Sequence, residues 1–324
     1  MSTMTLAKAL NAGLRRALDA NPKVLLYGED IGKLGGVFRI TEGLQKDFGE
    51  DRVIDAPLAE SGIVGTSFGL ALRGYRPVVE IQFDGFVYPA FNQIVSQVAK
   101  FHNRTEGRHA VPMVIRIPYG GGIGAIEHHS ESPEAYFAHT AGLKVVTCST
   151  PNDAYWMIQQ AVASEDPVIF LEPKRRYHDK GEVVHDTKPL PLHQARVVRG
   201  GTDATLITYG PMVKMCAEAA AIAEDEGRSL EVVDLRSLSP IDMVTLTNSV
   251  RRTRRAIVVH EDVQTLGLGA EIAARLSEDL FYLMESPVLR VTGHDMPYPN
   301  SRVENDFLPD VDRILDAVDR SLAY

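Results

Sequence analysis

The sequence predicts an α/β protein of two doubly wound domains, and three observations predict it. Short apolar runs of strand length recur without polar alternation, as in strands buried on both faces. Segments of helical period separate most of them, which calls for mostly parallel sheets covered by helices on both sides. The alternation lapses once, after Leu171, and resumes at Ala204. A chain of 324 residues fits two domains of roughly 100–200 residues each.

In order along the chain, Leu6, Leu10, Leu14 and Leu18 recur every fourth residue between Thr5 and Ala20, giving one helical stripe that Asn21-Pro22 ends. Strands follow at 24–27, 53–54, 77–81, 113–117, 145–147 and 168–171, with helices at 62–72, 89–101, 133–139 and 152–163. These make a first domain at 1–180. Residues 181–203, with Pro189, Pro191 and no clear period, read as a linker. The second domain, 204–324, carries strands at 204–209, 230–234, 256–260 and 288–292 and helices at 212–226, 241–250, 268–280 and 310–322. Ser239-Pro240 offers a capping hydroxyl and a first-turn proline for the helix after it.

Composition narrows the function. With 34 Lys and Arg against 43 Asp and Glu the formal charge is −9, a poor basis for sequence-independent nucleic-acid binding. The basic run 251–255 reads as a solvated helix end. No run of about 18 apolar residues occurs, so no membrane span is expected. Cys148 and Cys216 make neither a disulfide framework nor a metal quartet. Met1–Met4 leads straight into the first helical pattern, without a basic stretch before an apolar one, and a cytoplasmic location is expected.

Ligands of parallel sheets sit beyond the carboxyl ends of the strands. Four strand ends bring Glu29, Glu60, Gln82, Phe86 and His129 to one rim: carboxylates, an amide, an aromatic face and a base that titrates near neutrality. Singly, each has a plainer reading; Glu60 suits any helix start, and His129 any loop. The glycines at 120–124 match neither a dinucleotide fingerprint nor a P-loop, which leaves phosphate contact a minor reading. His128 and His129 with Glu127 and Glu131 lack the spacing of a helical zinc pair.

Longer segments add a resemblance. GEDI at 28–31 with GGVFR at 35–39, DAPLAESGIVG at 55–65, EIQFDGFVYPAFNQIV at 80–95, HSESPEAYFAH at 129–139, GLKVV at 142–146, PVIFLEP at 167–173, VDLR at 233–236, VHE at 259–261 and DMPYP at 295–299 run through nearly the whole chain. In these the chain resembles the beta subunits of the thiamine-diphosphate-dependent decarboxylating component of 2-oxo acid dehydrogenase complexes, a transketolase-like family. HSESPEAYFAH and FLEPKRRY look more like the branched-chain 2-oxo acid type than the pyruvate type, with pyruvate and acetoin types as the alternatives.

The resemblance implies a pyrimidine-binding domain followed by a transketolase C-terminal-like domain. It also implies roles. Glu60 matches the glutamate that bonds the aminopyrimidine of thiamine diphosphate and so promotes loss of the thiazolium C2 proton. Leu58, Gln82 and Phe86 match residues around the same ring, and burial of Glu60 beside Leu58 and Ile63 is expected to outweigh the helix dipole. His129 matches the histidine that moves a proton during acyl transfer to lipoamide. Glu29 matches an acid of a channel between paired sites, although Asn92 replaces another acid of that channel. The carbonyls of Val111, Met113, Val114, Ala161, Ser164 and Asp166 match a structural potassium (K+) site.

The family also implies a Gly-Asp-Gly…Asn motif for the diphosphate and its Mg2+ (Mg²⁺), and this chain contains no Gly-Asp-Gly. An alpha subunit would supply that half in an α2β2 heterotetramer that serves a lipoyl acyltransferase core. Two other readings stand beside this one: a non-catalytic scaffold subunit of the same fold, and a flavodoxin-like nucleotide binder.

Overall fold

The computed structural model describes residues 1–324. It forms two compact units: residues 1–119 with 136–192, and residues 120–135 with 193–324. The elements of the first stretch are β1 (Ser2–Thr5), α1 (Leu6–Ala20), β2 (Val24–Gly28), α2 (Leu44–Phe48), β3 (Val53–Asp55), α3 (Glu60–Leu72), β4 (Arg76–Glu80), α4 (Phe101–Arg104), β5 (Val114–Tyr119), α5 (Glu134–Ala138), β6 (Lys144–Thr147), α6 (Pro151–Ala163), β7 (Val168–Pro173) and β8 (Lys180–Val183). Then come β9 (Arg196–Arg199), β10 (Ala204–Thr208), α7 (Met212–Asp225), β11 (Leu230–Asp234), β12 (Ser237–Ser239), α8 (Met243–Thr253), β13 (Ala256–Val263), α9 (Leu268–Leu280), β14 (Leu289–Gly293), α10 (Glu304–Phe307) and α11 (Val311–Leu322).

In the first unit the strands run in the order β6-β7-β5-β4-β2-β3, every pair parallel. The leucine stripe of α1 is wholly buried against α6 and the sheet; each such side chain contributes about 1.5–3 kcal/mol. The two helices nearly touch at Gly13, where a Cβ would lie 2.4 Å from Ile158 Cγ2 and 2.7 Å from the Tyr155 carbonyl oxygen. Thr5 and Thr150 cap α1 and α6, each accepting a backbone N–H three residues on.

Charge is buried inside this sheet. The Arg116 guanidinium on β5 donates to Glu172 on β7 at 2.6 and 3.0 Å and to Glu80 on β4 at 2.7 Å. Tyr177 donates its hydroxyl to Glu172 at 2.6 Å. Burial disfavours the Arg116 charge, but Glu172 and Glu80 together hold it protonated even more firmly than a free arginine. Burial pushes the Glu80 carboxyl up in spite of Arg116. Lys174 and Asp84 form a second fully buried ion pair.

The second unit carries a five-stranded sheet, β14-β13-β10-β11-β9, parallel except for β9 at its edge. Its core joins Leu206, Val232, Ile257 and Val259 of the strands to Met212 and Cys216 of α7 and to Ile314 and Val318 of α11. No helix is long and apolar enough to cross a membrane.

Several expected elements differ. The stretch read as one helix at 89–101 is a 3₁₀ turn at 84–90, a π turn at 93–98 and then α4; Pro89 has no N–H for a continuous ladder. β1 and β8 pair antiparallel, and β9 lies within the stretch read as linker. All three are short and lack an apolar run, so only pairing reveals them. Helix α8 is capped by Asp242, not Ser239, which lies in β12. Asp242 accepts the Thr245 N–H at 3.1 Å and the Thr245 hydroxyl at 2.6 Å. Residues 120–135, inside the first domain by linear reading, group with the C-terminal unit.

Candidate functional site

In the first unit the expected residues stand at the carboxyl ends of adjacent parallel strands. Glu29 follows β2, Glu60 opens α3 just after β3, and Gln82 follows β4. Glu60 is the first residue of α3, whose cap position, Ala59, has no side chain to offer the helix N-terminus. Its carboxylate therefore lies where the helix dipole favours negative charge. Glu29 and Glu60 feel one another: burial, then Asp30, then Glu60 push the Glu29 carboxyl above its ordinary value. The Gln82 side-chain amide lies 3.5 Å from the Glu29 carbonyl, so strands β2 and β4 bring these three residues together.

Phe86 is part of an aromatic row. Its ring meets Phe83 edge-on at 5.8 Å, and Phe83 meets Phe38 at 5.3 Å. The buried Lys174–Asp84 pair anchors this QFDGF segment from below, with the Lys174 ammonium 5.7 Å from the Phe83 ring centroid. The expected burial of Glu60 by Leu58 is not found: Leu58 is 72% exposed and Glu60 half-buried. Leu58 lies in the irregular turn between β3 and α3, and nothing in this chain folds over it. The Glu60 carboxylate, the Gln82 amide, the Phe86 ring and the uncovered Leu58, all borne by segments that follow these strands, are of the chemical kinds that suit an aminopyrimidine, which offers N–H donors and a flat apolar face.

His129 belongs to the second unit, at the end of a 3₁₀ turn at 127–129 and half-buried. Its ring lies 4.8 Å from that of His128, which faces Glu127 at 3.6 Å. The glycine run beside it is not a phosphate cradle. The amides of Gly121, Gly122 and Gly124 already bond the carboxylates of Glu261 and Glu304, and a phosphate would meet negative charge there.

The carbonyls expected around potassium are already engaged. Val111 accepts from Met113 N–H, Met113 from Val168, Ala161 from Ser164 N–H, and Asp166 from the Ser164 hydroxyl. The Arg76 guanidinium donates to Ser164 O at 2.9 Å and Val162 O at 3.0 Å and pairs with Glu165. Arg76 thus places a positive charge against one of the six carbonyls, that of Ser164, and Val114 lies in the β5 ladder.

Sequence reasoning missed the buried network beneath these strand ends: Glu80, Asp84, Arg116, Glu172, Lys174 and Tyr177. A signal existed, because Arg116 and Glu172 interrupt otherwise apolar parallel strands, where a charge must be paired. It also passed over the acids of the second unit. Tyr209 donates to the buried Glu134 at 2.7 Å, and burial keeps Glu134 well above the usual carboxylate range. Burial pushes the nearby His260 down to about 4. His260 is therefore neutral at pH 7 and accepts the Gly269 N–H on Nε2 at 3.1 Å.

Burial, with Asp295 and Glu131 adding repulsion, pushes the Asp262 carboxyl up to about 7. A carboxyl raised in the folded state binds a proton that the unfolded chain has released. Folding stability from this group is therefore highest below about pH 4 and falls as pH rises through about 7. Asp262→Asn is expected to flatten the fall in unfolding free energy between pH 5 and 8 by about 1–2 kcal/mol, read from urea melts at each pH. An unchanged slope would count against this.

Residues 2–180 match the transketolase pyrimidine-binding domain family, and residues 193–314 the transketolase C-terminal domain family. The chain is 61% identical over 324 residues to a pyruvate dehydrogenase E1 component subunit beta of Leifsonia xyli subsp. xyli, covering 100% of this chain and 96% of that protein. It is 53% identical over 321 residues to a 3-methyl-2-oxobutanoate dehydrogenase subunit beta of Mycobacterium tuberculosis, covering 99% and 92%. A solved split-gene transketolase, an inactive beta4 tetramer, superposes with a TM-score of 0.82 at 21% identity over 99% of this chain and 98% of that one, a likeness of fold. With both domain families present in order and relatives above half identity along its full length, the chain belongs to the transketolase-like family of 2-oxo acid dehydrogenase beta subunits.

Proposed function

We propose that this chain is the beta half of an α2β2 enzyme that oxidatively decarboxylates branched-chain 2-oxo acids. In this reading it uses thiamine diphosphate and passes the acyl group to lipoamide on an acyltransferase core. The observation that carries it is the carboxylate of Glu60 at the open start of α3, with Glu29 and Gln82 gathered on the same strand ends. Bound thiamine diphosphate supplies the electron sink for decarboxylation. Once the ring is bound, the Glu60 carboxyl would share a proton with the pyrimidine ring nitrogen, and Phe86, Leu58 and Gln82 would orient that ring. His129 moves a proton when the acyl group leaves for lipoamide. Glu29, its carboxyl raised by burial and by its acidic neighbours, retains a proton more readily than a free glutamate and can pass it on.

No Gly-Asp-Gly occurs in the sequence, and a diphosphate needs a divalent cation and backbone amides. The alpha subunit supplies both in this reading, and the protein works in the cytoplasm.

Mixing the chain with its alpha partner tests the proposal. The chain alone is expected to show negligible decarboxylation, and the mixture to be active; turnover by the single chain would refute a shared site. The mixture is expected to favour 3-methyl-2-oxobutanoate over pyruvate by about tenfold or more in kcat/KM, the scale of one or two pocket methyl groups. The 61% identical relative named for pyruvate favours a second reading, a pyruvate dehydrogenase subunit, and the opposite preference would establish it. Within the mixture, His129→Ala is expected to reduce acyl transfer to lipoamide more than decarboxylation followed with an artificial oxidant.

A further inference from the structure

The loop that bears His129 begins in a glycine run whose N–H groups meet acidic side chains of the same unit. Gly120, Gly122 and Gly124 take φ of 82°, 82° and 71°, a left-handed conformation open to glycine. Glu304, at the start of α10, accepts the Gly122 N–H on one oxygen at 2.9 Å and the Gly124 N–H on the other at 3.0 Å. Glu261, on β13, accepts the Gly121 N–H at 3.0 Å. Tyr298 donates its hydroxyl to Glu304 at 2.6 Å and lies 3.3 Å from Gly122 N. The seating is tight: a Cβ on Gly121 would stand 1.9 Å from the Tyr298 hydroxyl oxygen.

Ile123 and Ile126 are exposed, so apolar burial contributes little to the order of this loop, and polar contacts must supply it. Within the loop the backbone closes locally from Gly120 N–H to Glu131 O at 2.9 Å, from His129 N–H to Ile126 O at 3.0 Å and from Ser130 N–H to Glu127 O at 3.0 Å. These closures stay within the loop. The buried Glu304 side chain bonds two of the loop's amides from α10, and Glu261 bonds a third from β13, so these two groups tie the loop to the rest of its unit.

We propose that Glu304, with Tyr298 and Glu261 beside it, is the positioning group that fixes the 120–131 loop and through it His129. The proposal rests on the reading of His129 as the proton-moving group of acyl transfer. Glu304 touches no reacting atom in this role; it sets how often His129 is in place.

The test uses the full chain assembled with its alpha partner. Glu304→Ala is expected to speed amide hydrogen exchange in peptides spanning 120–131 by about tenfold or more, with α11 unchanged. Acyl transfer to a lipoyl domain should fall about tenfold, and decarboxylation with an artificial oxidant by less than about threefold. Glu304→Gln keeps acceptor oxygen and should recover part of both losses. In a His129→Ala background, Glu304→Ala should cost transfer nothing further. Should Glu304→Ala misfold, Tyr298→Phe, which removes one hydroxyl, should give the same pattern at about threefold. Unchanged exchange at 120–131 in either folded variant overturns the clamp, as does an additive loss in the double variant. His129→Ala without selective loss of transfer overturns the reading of His129 itself, which exchange at 120–131 does not depend on.

Discussion

Glu60→Gln in the assembled enzyme is expected to lower kcat by about 10²–10⁴-fold, the range for removing a positioned proton-transfer group. Glutamine keeps the shape and an acceptor oxygen but has no carboxyl proton to hold against a ring nitrogen. Stability should barely move. Glu60 is half-buried at the first residue of α3, and exchanging a first-turn carboxylate for an amide costs about 0.3–1 kcal/mol through the helix dipole. A steady-state assay beside a thermal melt separates the two quantities. A kcat within about threefold of the parent enzyme would remove Glu60 from the chemistry and favour the scaffold reading.

Arg116→Ala is expected to destabilise the first unit by about 3–5 kcal/mol, because Glu80 and Glu172 would remain buried without their cation. Since burial already raises the Glu80 carboxyl, losing Arg116 would raise it further. A carboxyl raised in the folded state withdraws stability as pH rises, so the defect should be larger at pH 8 than at pH 5. Replacing the whole network (Arg116→Met with Glu80→Gln and Glu172→Gln) should recover much of the loss, since apolar or neutral groups in place of a buried ion pair are often tolerated. Urea melts of the single and triple variants decide it. A loss under about 1 kcal/mol for Arg116→Ala would mean that water reaches the carboxylates.

The network also bears on the site. Glu80, Arg116 and Glu172 tie β4, β5 and β7 together near their carboxyl ends, and Lys174 and Asp84 lock the next turn. The segment carrying Gln82 and Phe86 starts two residues after Glu80, so Arg116→Ala should also loosen the aromatic row that Phe86 ends.

What could be read in the sequence followed from local rules. The α1 stripe, α9 at 268–280 and β11 at 230–234 emerge where predicted because period and length suffice for strongly patterned elements. Glu29, Glu60 and Gln82 could be gathered from residue order alone because parallel strands deliver their carboxyl ends to one rim. The edge strands β1, β8 and β9 could not, since a short polar strand exists only by pairing with its neighbour. Asp242 was hidden by a competing local signal, Ser239-Pro240, and only the backbone shows which residue caps α8.

The sequence alone determined the two-domain α/β plan, the family and the chemical character of the strand-end residues, all of which are properties of patterns along the chain. The tertiary structure alone decided which charges neutralise one another and which groups hold the glycine loop. Arg116 meets Glu80 and Glu172 from positions 36 and 56 residues away, and Gly122 meets Glu304 across 182. Charge pairing is decided by ångström distances in a low-dielectric interior, and no local period encodes those. The anion that the glycine run suggested is present, but the protein's own carboxylate provides it.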